Sequence, residues 1–394
     1  MKPFEIARGI HWIGAVHPDL RVFDDLLPTR RGTTYNSYLV RGEKSAVIDT
    51  VKAVKADEFM ENLKSLIDPA KLDFIIVNHT EPDHSGTLMR LMEAAPQAKV
   101  YSSKPARLYL RDLTGRAVET LPVEDHAEVS LGGHTLRFIS APFLHWPDTI
   151  FTWLPEDRIL FSCDAFGAHC YDERMYDNLV PDLEADFHTY YDALMRPYRD
   201  KVLAAVESIR DLDIAMICPS HGPILRTNPK QYPERYRQWA TTPEVTKPYI
   251  AVIYASAHGN TRRMGEAIAE GMKTLDVIVD MIHVTEADES RVRAALESAD
   301  GVLFGTPTIV RDVPPAMWRA LSLLSTVKVR AKKAAAFGSY GWSGEAVAMV
   351  EQRLKDMRIP VMPSGLRVKF APTAADLDRC RQFGETFAAA TSAG

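Results

Sequence analysis

HTEPDHSG, residues 79–86, sets two histidines and two carboxylates within six positions, just beyond the apolar run Phe74-Ile75-Ile76-Val77. The apolar run reads as a buried strand and the polar octet as the loop that leaves it. Side chains alternate along an extended segment, so His79 and Glu81 project alike, and Asp83 and His84 then turn toward a neighbouring point. That spacing suits two adjacent metal ions better than one.

Three further ligand-type residues stand at the ends of apolar runs: His145 in APFLHWPDT, Asp164 in ILFSCDAFG and His221 in MICPSHGP. Seven residues give each of two metals three terminal ligands, with one carboxylate bridging. One histidine at a strand end is ordinarily a hydrogen-bonded structural residue. The tight first motif together with its three later partners is what argues for a metal site. The other histidines (His11, His17, His126, His134, His169, His188, His258 and His283) read mostly as solvated or structural. Among them His169, five residues past Asp164, is the best candidate for a supporting role at the metals.

Outward from this motif, the first half alternates β-rich runs (residues 33–42, 44–51, 73–80, 98–104, 134–142, 148–164 and 214–222) with helical patterns at 56–67 and 85–96. A long helical stretch follows at 186–212, with a break expected at Pro197. Strands grouped around helices in this order predict a two-sheet sandwich covered by helices. Residues 227–249, with prolines at 229, 233, 243 and 248, read as a domain connection. Beyond them YIAVIYAS, ADGVLFGTPT and KKAAAFGSYG look like fully buried strands, each followed by a loop and an amphipathic helix. LDVIVDMIHV and GLRVKFAP add two more. Regular strand–helix alternation predicts a doubly wound parallel sheet.

In that second half, SAHGNT at 256–261 follows a buried strand and opens a helical segment. Small residues there let backbone N–H groups close around a phosphate at a helix N-terminus. GTPT at 305–308 and GSYGWSG at 338–344 also sit at strand C-termini, the edge where doubly wound sheets bind nucleotide cofactors. An aromatic such as Tyr340 or Trp342, presented on glycines, can lie against a ring system.

The bulk properties are compatible with this reading. At 394 residues the chain exceeds one ordinary core, so two domains are expected, 1–247 and 248–394. Its 46% hydrophobic and 25% charged content is that of a globular protein, and a net charge of −5 with scattered basic residues gives nucleic-acid binding no support. No apolar run approaches the ~20 residues of a membrane span, and the N-terminus lacks a signal-peptide core. Four scattered cysteines (Cys163, Cys170, Cys218 and Cys380) fit neither a disulfide framework nor a CxxC knuckle, which points to a reducing cytoplasm.

HxExDH followed by separated His, Asp and His resembles the metallo-β-lactamase superfamily, whose hydrolases usually read HxHxDH. Glu81 stands where they place a histidine, and the added carboxylate makes the site harder and more anionic, favouring iron over zinc. The chain thus resembles the flavodiiron proteins, in which a metallo-β-lactamase-like αββα sandwich precedes a flavodoxin-like domain. The resemblance implies that His79, Glu81 and His145 bind one non-haem iron and Asp83, His84 and His221 the other, with Asp164 bridging. It brings Tyr190 and Tyr191 near the metals. In the second half it implies FMN. Ser256, His258, Gly259, Asn260 and Thr261 would hold its phosphate, and Thr306, Pro307, Thr308, Ser339, Tyr340, Gly341, Trp342 and Gly344 would surround its ring. Val310 and Arg311 depart from the asparagine common after the second loop, and His258 is unusual in a phosphate loop.

The implied activity is reduction of O2 to water, of NO to N2O, or of both. Electrons are expected from a separate rubredoxin or ferredoxin-type protein, because no paired CxxC module is present. A head-to-tail homodimer, or a dimer of dimers, would bring the FMN of one subunit to the irons of the other. Two other classes compete: a zinc-dependent hydrolase fused to a flavin domain, and a non-enzymatic redox carrier or gas sensor. Glu81 and the flavin loops argue against the hydrolase.

Overall fold

Alternation along three neighbouring strands decides the layers of the first half. In Tyr38–Arg41, Ser45–Ile48 and Phe74–Val77, the side chains of Leu39, Val47 and Ile75 enter one apolar cluster, while those of Val40, Ala46, Ile48, Phe74 and Ile76 enter another. Both faces of the sheet are therefore buried. The computed structural model describes residues 1–25, 27–241, 247–327 and 332–392. It divides into two compact units, Met1–Thr241 and Thr242–Gly394, a division that falls earlier than the 247/248 limit expected from the sequence.

The first unit carries a seven-stranded mixed sheet in the order Phe4–Ala7, Ile10–Trp12, Tyr38–Arg41, Ser45–Ile48, Phe74–Val77, Lys99–Ser102, Leu121–Pro122. A five-stranded sheet runs Glu128–Ser130, Thr135–Ser140, Ile150–Leu154, Ile159–Cys163, Met216–Pro219. Trp12, Ile48 and Ile76 of the first sheet meet Phe138, Leu154 and Phe161 of the second in one core between the sheets. Helices Ala56–Leu66, Leu88–Ala94 and Lys104–Thr114 bury Phe59, Leu63, Leu88, Leu91 and Leu110 against the outer face of the first sheet. Phe187, Tyr190, Val202 and Tyr236, from helices Leu183–Tyr190, Arg199–Ser208 and Gln231–Ala240, cover the outer face of the second. The unit is the αββα sandwich expected from the sequence.

Two segments differ from their sequence reading. Most of the supposed connection is structural: Gln231–Ala240 is a helix whose Tyr232, Tyr236 and Ala240, four residues apart, are buried in the core. Pro233 lies in its first turn, where a missing N–H breaks no intrahelical bond, so the prolines were misleading as breakers. Residues 242–246 of that stretch lie outside the described residues. The long helical stretch does break at Pro197, but in steps. Leu183–Tyr190 widens into a π-helical turn at Tyr191–Met195 and tightens over Arg196–Tyr198 before Arg199–Ser208.

The second unit is a five-stranded, wholly parallel sheet in the order Ile278–His283, Tyr249–Tyr254, Gly301–Gly305, Lys333–Tyr340, Leu366–Lys369. Counted along the chain this is 2-1-3-4-5, the doubly wound order of flavodoxin. Helices cover both faces. Met264, Ile268, Phe383 and Phe387 pack on one side, and Val292, Leu296, Met317 and Val350 on the other.

Candidate metal centre and flavin site

The first sheet ends its strand Phe74–Val77 at the ligand loop. Asp49, buried and with φ +54, accepts the N–H of Asn78 at 2.7 Å and so fixes where that loop leaves the sheet. Burial raises the Asp49 carboxyl to about 6 against the opposing charge of His84. Residues Pro82–Ser85 then make one helical turn, which presents Asp83 and His84 inward. From the second sheet, Asp164 directly follows strand Ile159–Cys163 and His221 follows Met216–Pro219. His145 lies in the loop between Thr135–Ser140 and Ile150–Leu154.

These loops bring all seven expected residues to one place. Nε2 of His145 lies 2.9 Å from Glu81 Oε2, and Nε2 of His79 lies 3.3 Å from the same oxygen. Both nitrogens stand 3.6 Å from Asp164 Oδ2. On the other side, His221 Nε2 is 2.9 Å from Asp83 Oδ2 and His84 Nε2 is 3.4 Å from Asp83 Oδ1. These two face the second oxygen of Asp164, Oδ1, at 3.5 and 3.1 Å. One carboxylate thus turns one oxygen to each group. His84 is near enough to join either, since ligand atoms of His79, Glu81, His84 and Asp164 lie within 4.8 Å of one another, as do those of Asp83, His84 and His221.

The donor set fits bound cations. Asp83 Oδ1, both ring nitrogens of His84 and Asp164 Oδ2 are buried with no hydrogen-bond partner among the described residues, an arrangement a protein rarely tolerates without an ion. The local field favours positive charge as well. Burial alone would lower the His84 imidazole, yet Asp164 and Asp83 push it up to about 10. Burial opposes ionisation of Asp164, yet His84 and His79 hold it well below the usual carboxylate range.

Neighbours that the motif did not announce orient these side chains. Asp148, fully buried, accepts Nδ1–H of His79, which leaves Nε2 free to face the centre. His221 Nδ1–H donates to the Thr34 carbonyl at 2.6 Å with the same effect. Asp148 lies three residues past His145 in HWPDT, and its sequence carries no periodic signal that would have singled it out. Tyr190 donates its hydroxyl to Asp164 Oδ1 at 2.8 Å. Tyr191 instead points into the core, 4.9 Å from Tyr236 and 5.1 Å from Trp239 between ring centroids. Arg30 and Arg31 both pair with Asp186, tying helix Leu183–Tyr190 to the segment that carries Thr33 and Thr34.

In front of the two groups lies a cavity of ≈ 210 Å³ lined by Glu81, Asp83, His145, Asp164 and His221, with Phe23, Leu27 and Leu194 as its apolar wall. A larger cavity of ≈ 440 Å³ between helices Arg199–Ser208 and Gln231–Ala240 contains none of the seven residues.

In the second unit the expected flavin residues fall in three segments at the C-terminal edge of the sheet, after Tyr249–Tyr254, after Gly301–Gly305 and at the end of Lys333–Tyr340. The first opens helix Asn260–Met272, whose leading N–H groups have no partner within the helix. Gly259 precedes it at φ +77. Thr261 and Ser339 are joined hydroxyl to hydroxyl at 2.9 Å, and Thr308 N–H donates to the Ser339 carbonyl at 3.1 Å, so the three segments are pinned together. Gly344 lies under the Tyr340 ring, where a Cβ would come within 3.0 Å of it. Trp342 is 82% exposed. Ile309 and Asp312 exchange two backbone hydrogen bonds of 3.0 Å around Val310 and Arg311, both left-handed at φ +51 and +62. This is a tight hairpin turn of the mirror-image type.

Family models agree with both halves: residues 33–222 match the ODP family beta lactamase model and residues 252–384 match the flavodoxin model. The flavo-diiron protein FprA2 of Clostridium acetobutylicum is 38% identical over 397 residues, covering 98% of this chain and 99% of that one. The chain belongs to the flavodiiron protein family. A nitric oxide reductase of Moorella thermoacetica is 35% identical over 403 residues, with 98% of both chains covered. The rubredoxin oxygen:oxidoreductase of Desulfovibrio gigas superposes with a TM-score of 0.72 at 29% identity, covering 100% of this chain and 99% of that one. As a flavodiiron protein the chain is an oxidoreductase that uses FMN and a non-haem di-iron site. Among its described residues no helix is long and apolar enough to cross a membrane.

Proposed function

We propose that this flavodiiron protein reduces O2 to water, NO to N2O, or both, in the cavity of its first unit. The observation that carries the reading is the division of Asp164, whose two oxygens each face one histidine–carboxylate group. His79, Glu81 and His145 would hold one iron, Asp83, His84 and His221 the other, and Asp164 both. When bound, the irons supply ferrous–ferric electron changes and open positions for a gas, and FMN supplies and stores two further electrons.

The chain's own residues set the conditions. Three carboxylates offset most of the charge of two divalent ions, and four neutral imidazoles complete the set. Asp148 and the Thr34 carbonyl keep His79 and His221 in the tautomer that binds through Nε2. Phe23, Leu27 and Leu194 keep the cavity wall apolar, so a small uncharged gas enters at less cost than water-bound ions. For FMN, residues 256–261 offer backbone N–H groups to the phosphate and Tyr340 and Trp342 offer aromatic faces. Ser256, His258, Gly259, Asn260 and Thr261 are assigned to the phosphate; Thr306, Pro307, Thr308, Ser339, Tyr340, Gly341, Trp342 and Gly344 are assigned to the ring.

We assign the metal domain to 1–247 and the flavin domain to 248–394. A cytoplasmic rubredoxin or ferredoxin-type protein is the proposed donor, and a head-to-tail homodimer, alone or paired, the working assembly. The deciding experiment is anaerobic reduction followed by rapid mixing with O2 and, separately, NO while flavin absorbance is recorded. Fast reoxidation by either gas supports the reading, and reoxidation no faster than in an iron-free control refutes it. An active monomer would refute the dimer.

A further inference from the structure

Outside the seven residues, one polar atom on the cavity wall has no partner. His169 lines the cavity and is 4% exposed. Its Nε2 is buried and meets no hydrogen-bonding group among the described residues. Leaving a buried nitrogen unpaired is unfavourable, and a ligand in the cavity would relieve it.

The ring is held from several sides. Phe23 stacks on it with centroids 4.1 Å apart and planes 26° from parallel. Tyr190 and His221 stand edge-on at 4.9 and 4.8 Å. Nδ1 lies 2.9 Å from the Thr33 hydroxyl. The Thr34 carbonyl, 3.2 Å from that hydroxyl, already accepts from His221 Nδ1–H at 2.6 Å. His221 Nδ1, 3.4 Å from the hydroxyl, is a donor and cannot accept. The Thr34 carbonyl can accept a second bond from Thr33, but His169 Nδ1 is the nearer acceptor, 2.9 against 3.2 Å; with the Thr33 proton there, the imidazole keeps its own proton on Nε2.

We propose that His169 is a ligand-binding residue of the cavity, whose neutral Nε2–H donates a hydrogen bond to the outer atom of a small diatomic or linear triatomic ligand. Thr33 is the positioning residue that fixes this tautomer. The proposal rests on the di-iron reading of the same cavity. It differs from a ligand role, since an Nε2 that carries a proton offers no lone pair to a metal.

The test uses the iron-loaded, fully oxidised protein with azide as probe. Affinity is followed by absorbance, the bound azide stretch by infrared, and iron content in the same samples. H169L is expected to retain iron, weaken azide about tenfold and shift the stretch, whereas H169Q, whose amide still donates, stays within about threefold of wild type. T33V should fall between them. Wild-type affinity and an unshifted band in iron-replete H169L would overturn the proposal. Should H169L lose its iron or its fold, neutron diffraction from the wild-type protein decides. A proton on Nε2 of His169 supports the assignment, and one on Nδ1 overturns it. A wild-type protein that binds neither iron nor azide would bring down the di-iron reading and this inference with it.

Discussion

Asp148 takes the Nδ1–H of His79 at 3.2 Å on one oxygen and the N–H and hydroxyl of Thr80 at 2.8 Å on the other. It is a buried carboxylate with every contact directed at the first residues of the ligand loop. Replacing it by asparagine keeps its shape and removes its charge. Asp148→Asn is expected to lower iron affinity about 10- to 100-fold without loss of FMN. Competition against a chelator, with flavin content read in parallel, checks both halves of the expectation.

Stability of the metal-free protein should fall as pH rises. The folded-state pKa of His84 stands near 10, above the ~6.5 of an unfolded histidine. Between those values the native state binds more protons than the unfolded one, so the contribution is whole below about 6.5 and lost on passing about 10. Iron displaces that proton, so metal affinity should rise over the same interval. Urea unfolding of chelator-treated protein at about pH 6 and about pH 9 gives the sign, and equal midpoints would contradict it.

Gly259 offers a local test of the flavin site. A Cβ there would touch nothing within 4 Å, but φ +77 is unfavourable for any other residue. Gly259→Ala carries a backbone cost of about 1 kcal/mol, and FMN affinity should drop about fivefold while iron content stays constant. Fluorescence titration of the flavin-free protein reports it.

Val310 is β-branched, 86% exposed and left-handed. Asparagine adopts that backbone more readily, so Val310→Asn should stabilise the protein by about 0.5–1 kcal/mol. A thermal midpoint that falls would mean that the valine side chain has a partner of its own.

Much of this was legible in the sequence because the deciding signals are local. Phe74–Val77 and the loop from His79 to His84 announce a strand and its ligands within about ten residues, and strand–loop–helix order along the second half determines a parallel sheet. What stayed hidden depends on residues brought together from afar. Asp148 matters because it meets His79, 69 positions away, and Thr33 because it meets His169, 136 positions later. Neither has a spacing rule to betray it. The helix Gln231–Ala240 was obscured for a different reason, since its Pro233 resembles a breaker until its place in the first turn is known.

That helix also bears on the order in which the metal site is made. The hydroxyl of Tyr236 accepts the N–H of Phe166, two residues past Asp164, at 3.1 Å. During synthesis His221, the last of the seven proposed ligands, leaves the ribosome before Tyr236, which secures the loop that carries Asp164. A nascent chain halted between them would own all seven proposed ligands and still lack the anchor of the loop that carries Asp164. If the proposed ligands hold the irons, a fragment ending near residue 227 is expected to emerge iron-poor although all seven residues are present.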